Sequence, residues 1–212
     1  MASGFGGSAL AILAAYLLLF LWGTAETGRA NGRTAWLMAR SRGRDRRAAF
    51  AFRLAFACSF VGPLVWSLSP ALRRLDPFWS GGDGAWVGMA GVFAAALGAM
   101  IAFAAQMSMG ASWRVGVKGS EVGGLVTGGL FRISRNPTFI GQCLLLTGVA
   151  LALPALPTLI GPPLFLAAAR AQVPSEEAVL RRAHGAAYDD WARQVPRWIG
   201  PCRRSGSLRR GG

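Results

Sequence analysis

The residues with the most chemical reach lie in the second half of the chain. The run "RISRNPTFIGQ", Arg132 to Gln142, sets two arginines, an Asn-Pro step and a glutamine directly before the apolar run "CLLLTGVALALP". Proline fits the first turn of a helix, where its missing N–H leaves nothing unsatisfied, and the free N–H groups of that turn can receive a carboxylate. The competing reading of Arg132 and Arg135 is that they only snorkel and anchor the helix end. Upstream, "GSEVGGLVTGGLF", Gly119 to Phe131, brackets Leu125-Val126-Thr127 with two Gly-Gly pairs, which let a backbone turn sharply and approach a ligand. It is no dinucleotide fingerprint, since neither a preceding strand nor a βαβ context is present. Downstream, "ARAQVPSEEAVLRRAHGAAYDDWARQVPRWI" reads as a helix starting after Ser175, with Glu176 and Glu177 in a first turn whose positive end favours them. His184, the only histidine, has no sequence-near partner and receives no catalytic role. Trp191 and Trp198 read as interface or packing aromatics.

Holding such residues takes elements suited to lipid. The chain has 212 residues, of which 53% are hydrophobic and 15% charged, with mean hydropathy +0.38; a soluble domain carries less apolar and more charged sequence. A net charge of +14 and a pI of about 11.7 raise nucleic acid as a partner. Apolar runs divide the basic residues, however, where a nucleic-acid binder would gather them on one face. Five apolar stretches stand out by length and lack of charge: Gly6 to Trp22, Leu54 to Leu72, Ala85 to Met107, Thr138 to Leu153 and Ala155 to Ala169. The last two flank "ALPALP" and predict a tight hairpin, its second arm kinked at Pro162 and Pro163. The fold class expected is all-α, a polytopic membrane protein of about five transmembrane helices with a C-terminal helical hairpin and a cytoplasmic pocket. Residues 1–107 would hold the first three helices and an arginine-rich loop, 108–199 the region with the chemistry, and 200–212 a disordered basic tail.

Of the 23 Lys and Arg residues, all but Arg73 and Arg74 fall on one side of the alternation between stretches. The positive-inside rule then puts the N-terminus outside and the arginine-rich segments in the cytoplasm. The first stretch lacks a basic n-region and a small-x-small cleavage site, so it reads as a retained helix. Within the first loop, "RTAWLMARSRGRDRRAAFAFR" mixes arginines with large apolar residues. It reads either as a segment lying on anionic lipid or as a solvated topology signal. Cys58, Cys143 and Cys202 are scattered and odd in number, which indicates neither a disulfide framework nor a metal site. A single lysine, Lys118, among the basic residues, with abundant Ala and Gly, points to a GC-rich bacterial genome and hence an inner-membrane location.

Order and spacing add a further reading. Leu125-Val126-Thr127-Gly128-Gly129-Leu130-Phe131, then Arg135-Asn136-Pro137-Thr138-Phe139-Ile140-Gly141, then an apolar hairpin, then Glu176-Glu177, Gly185, Tyr188, Trp191 and Val195-Pro196 together resemble the isoprenylcysteine carboxyl methyltransferase and phospholipid methyltransferase superfamily. The resemblance covers about Met109 to Ile199. It implies an integral-membrane enzyme that moves a methyl group from S-adenosylmethionine to a lipophilic acceptor. Carried over residue by residue, it implies cofactor contacts at Gly124, Leu125, Val126, Phe131, Asn136, Pro137, Thr138, Phe139 and Glu176. Catalytic roles fall to Arg135 and Asn136, and acceptor contacts to Gln172 and Arg170. Phe131 and Phe139 stand where tyrosine is typical, and Asn136 where histidine is common, which keeps a hydrogen-bonding group but removes titration near neutral pH. Gln172 stands where carboxyl methyltransferases of the superfamily have an arginine that meets the acceptor carboxylate, so a bidentate clamp is missing. The other classes weighed are an NADPH-dependent enzyme of the sterol-reductase kind, whose C-terminal arginine- and aspartate-rich signature is missing here, and a cofactor-free membrane scaffold.

Overall fold

The computed structural model describes residues 4–30, 32, 43–79, 84–113 and 123–200. The middle of the arginine-rich loop, the segment 114–122 with Lys118, and the basic tail from 201 onward lie outside them. Among the described residues the chain is helical, with no strand. Helix α1 spans Gly4–Ala30, α2 Gly43–Leu68, the short α3 Pro70–Leu75, α4 Ala85–Met109, α5 Pro137–Ala152, α6 Leu156–His184 and α7 Ala186–Gln194. A 3-10 turn at Gly110–Ser112 ends α4 and another at Gly129–Arg132 precedes α5.

Among the described residues three helices, α1, α2 and α4, are long and apolar enough to cross a membrane. At 1.5 Å per residue α1 reaches roughly 40 Å, more than the ~30 Å hydrocarbon layer requires. Helix α5 has 16 residues and falls short of that thickness alone; with α6 it forms the expected hairpin. The arginines at the start of α2 are helical from Gly43 onward, so the later part of the basic loop continues directly into a spanning helix.

Lipid supplies no hydrophobic drive between helices, so close packing has to come from small residues. Helices α4 and α5 meet along such a seam. Gly91, Ala95, Gly98 and Ala102 face Gly141, Leu145, Gly148 and Ala152, and a methyl group added at Gly98 would fall 2.3 Å from the Leu145 nitrogen, at Gly141 2.4 Å from that of Ala102. The bundle core is completed by Leu13 and Tyr16 of α1, Phe52 and Ala55 of α2 and Phe165 and Ala169 of α6.

At one end of the bundle Asp76 fastens three elements. Its buried carboxylate accepts from Trp66 Nε1 (2.9 Å), from the Leu156 N–H at the start of α6 (2.8 Å), and from the N–H groups of Phe78 (2.9 Å) and Trp79 (3.2 Å). Thr158 completes the hairpin turn: its hydroxyl donates to the Leu153 carbonyl (2.6 Å) and accepts from the Ala155 N–H (3.1 Å). These bonds satisfy groups that Pro154 and Pro157 leave outside a regular helix.

The separate helix expected after Ser175 does not form; α6 runs unbroken through Pro162, Pro163 and Pro174. Proline removes one backbone bond, but the buried face of Phe165, Ala168, Ala169, Gln172, Val173, Glu177 and Val179 keeps helical phase across Pro174. Packing of that face outweighs one missing bond. Ser175 is therefore no N-cap, and its hydroxyl bonds the Asp45 carboxylate at 2.9 Å.

Candidate active site

The helix ends opposite the Asp76 clip surround one cavity of about 420 Å³, within the range of small-molecule pockets. Its polar wall is built on loop 123–136. Gly129 has φ +54, a left-handed conformation suited to glycine, and starts the turn that buries Phe131. Ser112 Oγ donates to the Gly124 carbonyl (3.1 Å) and ties the loop to the end of α4. Asn136 precedes Pro137, the first residue of α5. The Asn136 side chain does not cap its own helix; Nδ2 donates to the Arg197 carbonyl at 2.9 Å. The same carbonyl accepts from Ser134 Oγ (3.2 Å), and the Arg135 N–H donates to the Pro196 carbonyl (2.9 Å). The segment after α7 is thus strapped over the loop that leads into α5.

Electrostatically the site turns on Glu177. Its carboxylate is held by Arg135 at 3.0 Å and by Arg197 at 2.6 and 2.9 Å, and Arg135 also donates to Tyr188 Oη at 3.1 Å. Two guanidinium groups on one carboxylate form charge-assisted bonds, which are stronger than neutral ones. Hydrogen bonding to Glu177 raises the pKa of Arg197. Burial, with the charge of Glu177 second, pushes the Tyr188 phenol up from its ordinary value, partly offset by Arg135. One helical turn back, Gln172 Nε2 donates to Glu176 Oε1 at 2.6 Å. Since a carboxylate only accepts, this bond fixes the amide orientation, and Gln172 Oε1 is left buried with no partner among the described residues, as is Arg135 Nε.

Eleven of the residues singled out in the sequence line this cavity: Gly124, Leu125, Val126, Phe131, Arg135, Asn136, Pro137, Thr138, Phe139, Gln172 and Glu176. They come from two stretches, 124–139 and 172–176, on either side of the helical hairpin turn. Arg170 does not join them; it is exposed on α6, two residues and about 200° of helix rotation from Gln172. His184 lies outside the lining, at the last residue of α6. Trp191, read as a packing aromatic, lines the cavity and donates through Nε1 to the Phe131 carbonyl at 3.2 Å.

Sequence reasoning missed the second glutamate as the centre of the ion-pair network, and Arg197 as its partner. It also missed the largely apolar wall, formed by Tyr16, Leu17, Phe20 and Leu21 of α1 and Phe52 and Phe56 of α2, with Arg53 as its charged member. A signal was present: Tyr16 and Gln142 are hydrogen-bonding side chains inside otherwise apolar helices, and such residues mark functional surfaces in membranes. Gln142 Nε2 lies 2.7 Å from Tyr16 Oη.

Among the described residues, a helical bundle with three helices able to cross a membrane, and a ligand-sized cavity where its polar loop and longest helix meet, fits a polytopic helical membrane protein. Residues 86–187, a little under half of the chain, match the phospholipid methyltransferase family model, so this region is similar to the isoprenylcysteine and phospholipid methyltransferase membrane superfamily. No curated protein matches the sequence.

Proposed function

We propose that the protein transfers a methyl group from S-adenosylmethionine to a lipophilic acceptor at the inner leaflet of a bacterial cytoplasmic membrane. The observation that carries this reading is that Gly124–Val126, Asn136–Phe139 and Glu176 share one cavity with a wall of α1 and α2 aromatics. The residues present suit such a donor. The carboxylate of Glu176 and the aromatic side chains of Phe131 and Trp191 favour a cationic sulfonium, Leu125 and Val126 offer apolar cover for a purine, and the orphaned Arg135 Nε and Gln172 Oε1 are groups that a bound ligand can satisfy.

A sulfonium supplies an already activated methyl group. The chain's part is to bind, to align and to keep water out, and alignment alone can be worth ~7–11 kcal/mol. In this reading Glu176 and the α5 N-terminus hold the donor. Arg135 positions that helix end through Glu177 and Tyr188, and Asn136 does so through the strap at Arg197. The apolar wall admits the acceptor from lipid. Orientation follows from charge: Arg46, Arg47, Arg53, Arg181, Arg182, Arg193 and Arg197 belong to the elements at the cavity end, against Arg73 and Arg74 beside the Asp76 clip. The positive-inside rule turns the cavity to the cytoplasm and sets its arginines near anionic lipid.

Titration of the detergent-purified protein with S-adenosylmethionine and, separately, NADPH tests the reading. Saturable binding of the first alone is expected, with Glu176→Ala lowering affinity at least about tenfold while the unfolding midpoint is kept. Native membranes incubated with methyl-labelled S-adenosylmethionine should then yield a labelled lipid-soluble product that depends on the protein. A folded protein that binds NADPH instead, or neither compound, overturns it.

A further inference from the structure

The apolar wall holds one built polar feature. Tyr16 is 2% exposed and Gln142 7% exposed, both line the cavity, and their side chains meet at 2.7 Å. Around them stand Phe20, Phe52, Phe56 and Phe139, with Tyr16 stacked on Phe56 at 6.4 Å between centroids and Phe52 on Phe139 at 5.5 Å. Tyr16 lies near the middle of α1, about 20 Å along the helix from its C-terminal end, so the pair sits well inside the apolar part of the bundle.

A phenol and a primary amide use one bond to join each other. If the amide donates, the tyrosine proton and the amide oxygen are left over; if the phenol donates, its lone pair and both amide N–H groups are left over. In either arrangement the pair offers a further ligand one donor and one acceptor, and no net charge. That matches a hydroxyl, which both gives and takes a hydrogen bond. A carboxylate or an ammonium group placed here would be desolvated against a neutral pair and four phenyl rings, while Arg53, the cation that also belongs to this wall, is an exposed side chain of α2. The phenyl rings around the pair favour an apolar body next to the hydroxyl, and ring-on-ring contact favours an aromatic or unsaturated one.

We propose that Tyr16 and Gln142 form the polar anchor of the acceptor subsite, and that they recognise a neutral hydroxyl carried on an apolar aromatic or polyunsaturated body. This rests on the methyl-transfer reading only in calling the ligand an acceptor. Tyr16 and the three α1 and α2 aromatics Phe20, Phe52 and Phe56 lie outside residues 86–187, whereas Gln142 and Phe139 lie within them, so the first two helices supply most of this subsite.

The test uses the full-length protein in detergent and four probes with the same tail: 4-dodecylphenol, 4-dodecylbenzene without a polar group, 4-dodecylbenzoate and 4-dodecylbenzylammonium. Affinity is read from the ligand-dependent rise in the unfolding midpoint. The phenol should bind at least about tenfold more tightly than the other three, and Tyr16→Phe and Gln142→Leu should each reduce its advantage over the unsubstituted probe about fivefold to tenfold. Benzoate or ammonium binding as tightly as the phenol in the wild-type protein overturns the proposal without recourse to any variant. So does an undiminished phenol preference in both folded variants. A parallel S-adenosylmethionine titration separates the two readings: phenol selectivity without cofactor binding leaves this subsite standing and removes methyl transfer, and cofactor binding without phenol selectivity does the reverse.

Discussion

Arg135 Nη1 lies 3.0 Å from Glu177 Oε1, and both side chains are largely buried, at 13% and 9% exposure. Arg135 lies two residues before α5 begins and Glu177 lies on α6, so the ion pair couples the loop that leads into one arm of the hairpin to the other arm at the cavity. Breaking a buried pair leaves a charge without compensation, which costs ~3–5 kcal/mol. Glu177→Ala should therefore be severely destabilising. Arg197→Ala should cost about 1 kcal/mol or less, because that guanidinium is 44% exposed. Unfolding midpoints of the two variants in one detergent give the ranking, and equal losses would refute it.

The α4–α5 seam makes a second prediction. At Gly98 and Gly141 any side chain meets backbone at less than 2.5 Å, and backbone cannot rotate aside. Gly98→Leu or Gly141→Leu should force the helices apart and displace the α5 N-terminus, costing at least the ~1–3 kcal/mol of overpacking. Gly7→Ala, on the exposed face of α1 with open space around it, should be neutral or slightly stabilising. Folded yield after solubilisation and thermal midpoints distinguish them.

Asp76 supports a third. Replacing it with alanine strips the acceptor from Trp66, Phe78, Trp79 and Leu156 at once, and each buried donor left unsatisfied costs ~1–3 kcal/mol. Asp76→Asn keeps one oxygen but turns an NH₂ toward N–H donors, so it should fall between wild type and alanine. Because the clip is at the other end of the bundle from the cavity, protein that remains folded should keep the proposed S-adenosylmethionine affinity, which a binding titration on Asp76→Asn checks.

Tyr188 gives a pH dependence. Its phenol has a raised pKa in the folded protein, with burial the main cause and Glu177 next. The native state therefore holds that proton more tightly than the unfolded chain does, and this contribution to stability is complete below the ordinary value near 10 and declines as pH rises past it. Tyr188→Phe should show a shallower fall in unfolding midpoint between pH 9 and 11 than wild type. Parallel curves would mean that Tyr188 does not report this linkage.

Much of the architecture was legible because its causes are local. Length and absence of charge mark α1, α2 and α4, and the prolines around Ala155 mark the hairpin turn. The end of its second arm was misread, since Pro174 and the two glutamates look like a helix start when taken alone. Only the apolar phase from Phe165 to Val179 reveals continuity. At the site, loop 123–136 and the α5 N-terminus could be read because their residues are contiguous. Which of two adjacent glutamates takes the arginines depends on a 100° difference in direction around α6, and Arg197 reaches Glu177 through a strap whose path no spacing rule gives. Tyr16 and Gln142 meet across 126 positions, a separation at which sequence pattern carries no pairing information.

The two walls of the cavity have different origins in the chain, one contiguous with the family-matched region and the other supplied by α1 and α2. If the protein transfers methyl groups as proposed, substitutions in the first two helices would diversify the acceptor while the donor-facing residues stay as they are. Exchanging Gly4–Leu68 between homologues is accordingly the natural unit for grafting one selectivity onto another.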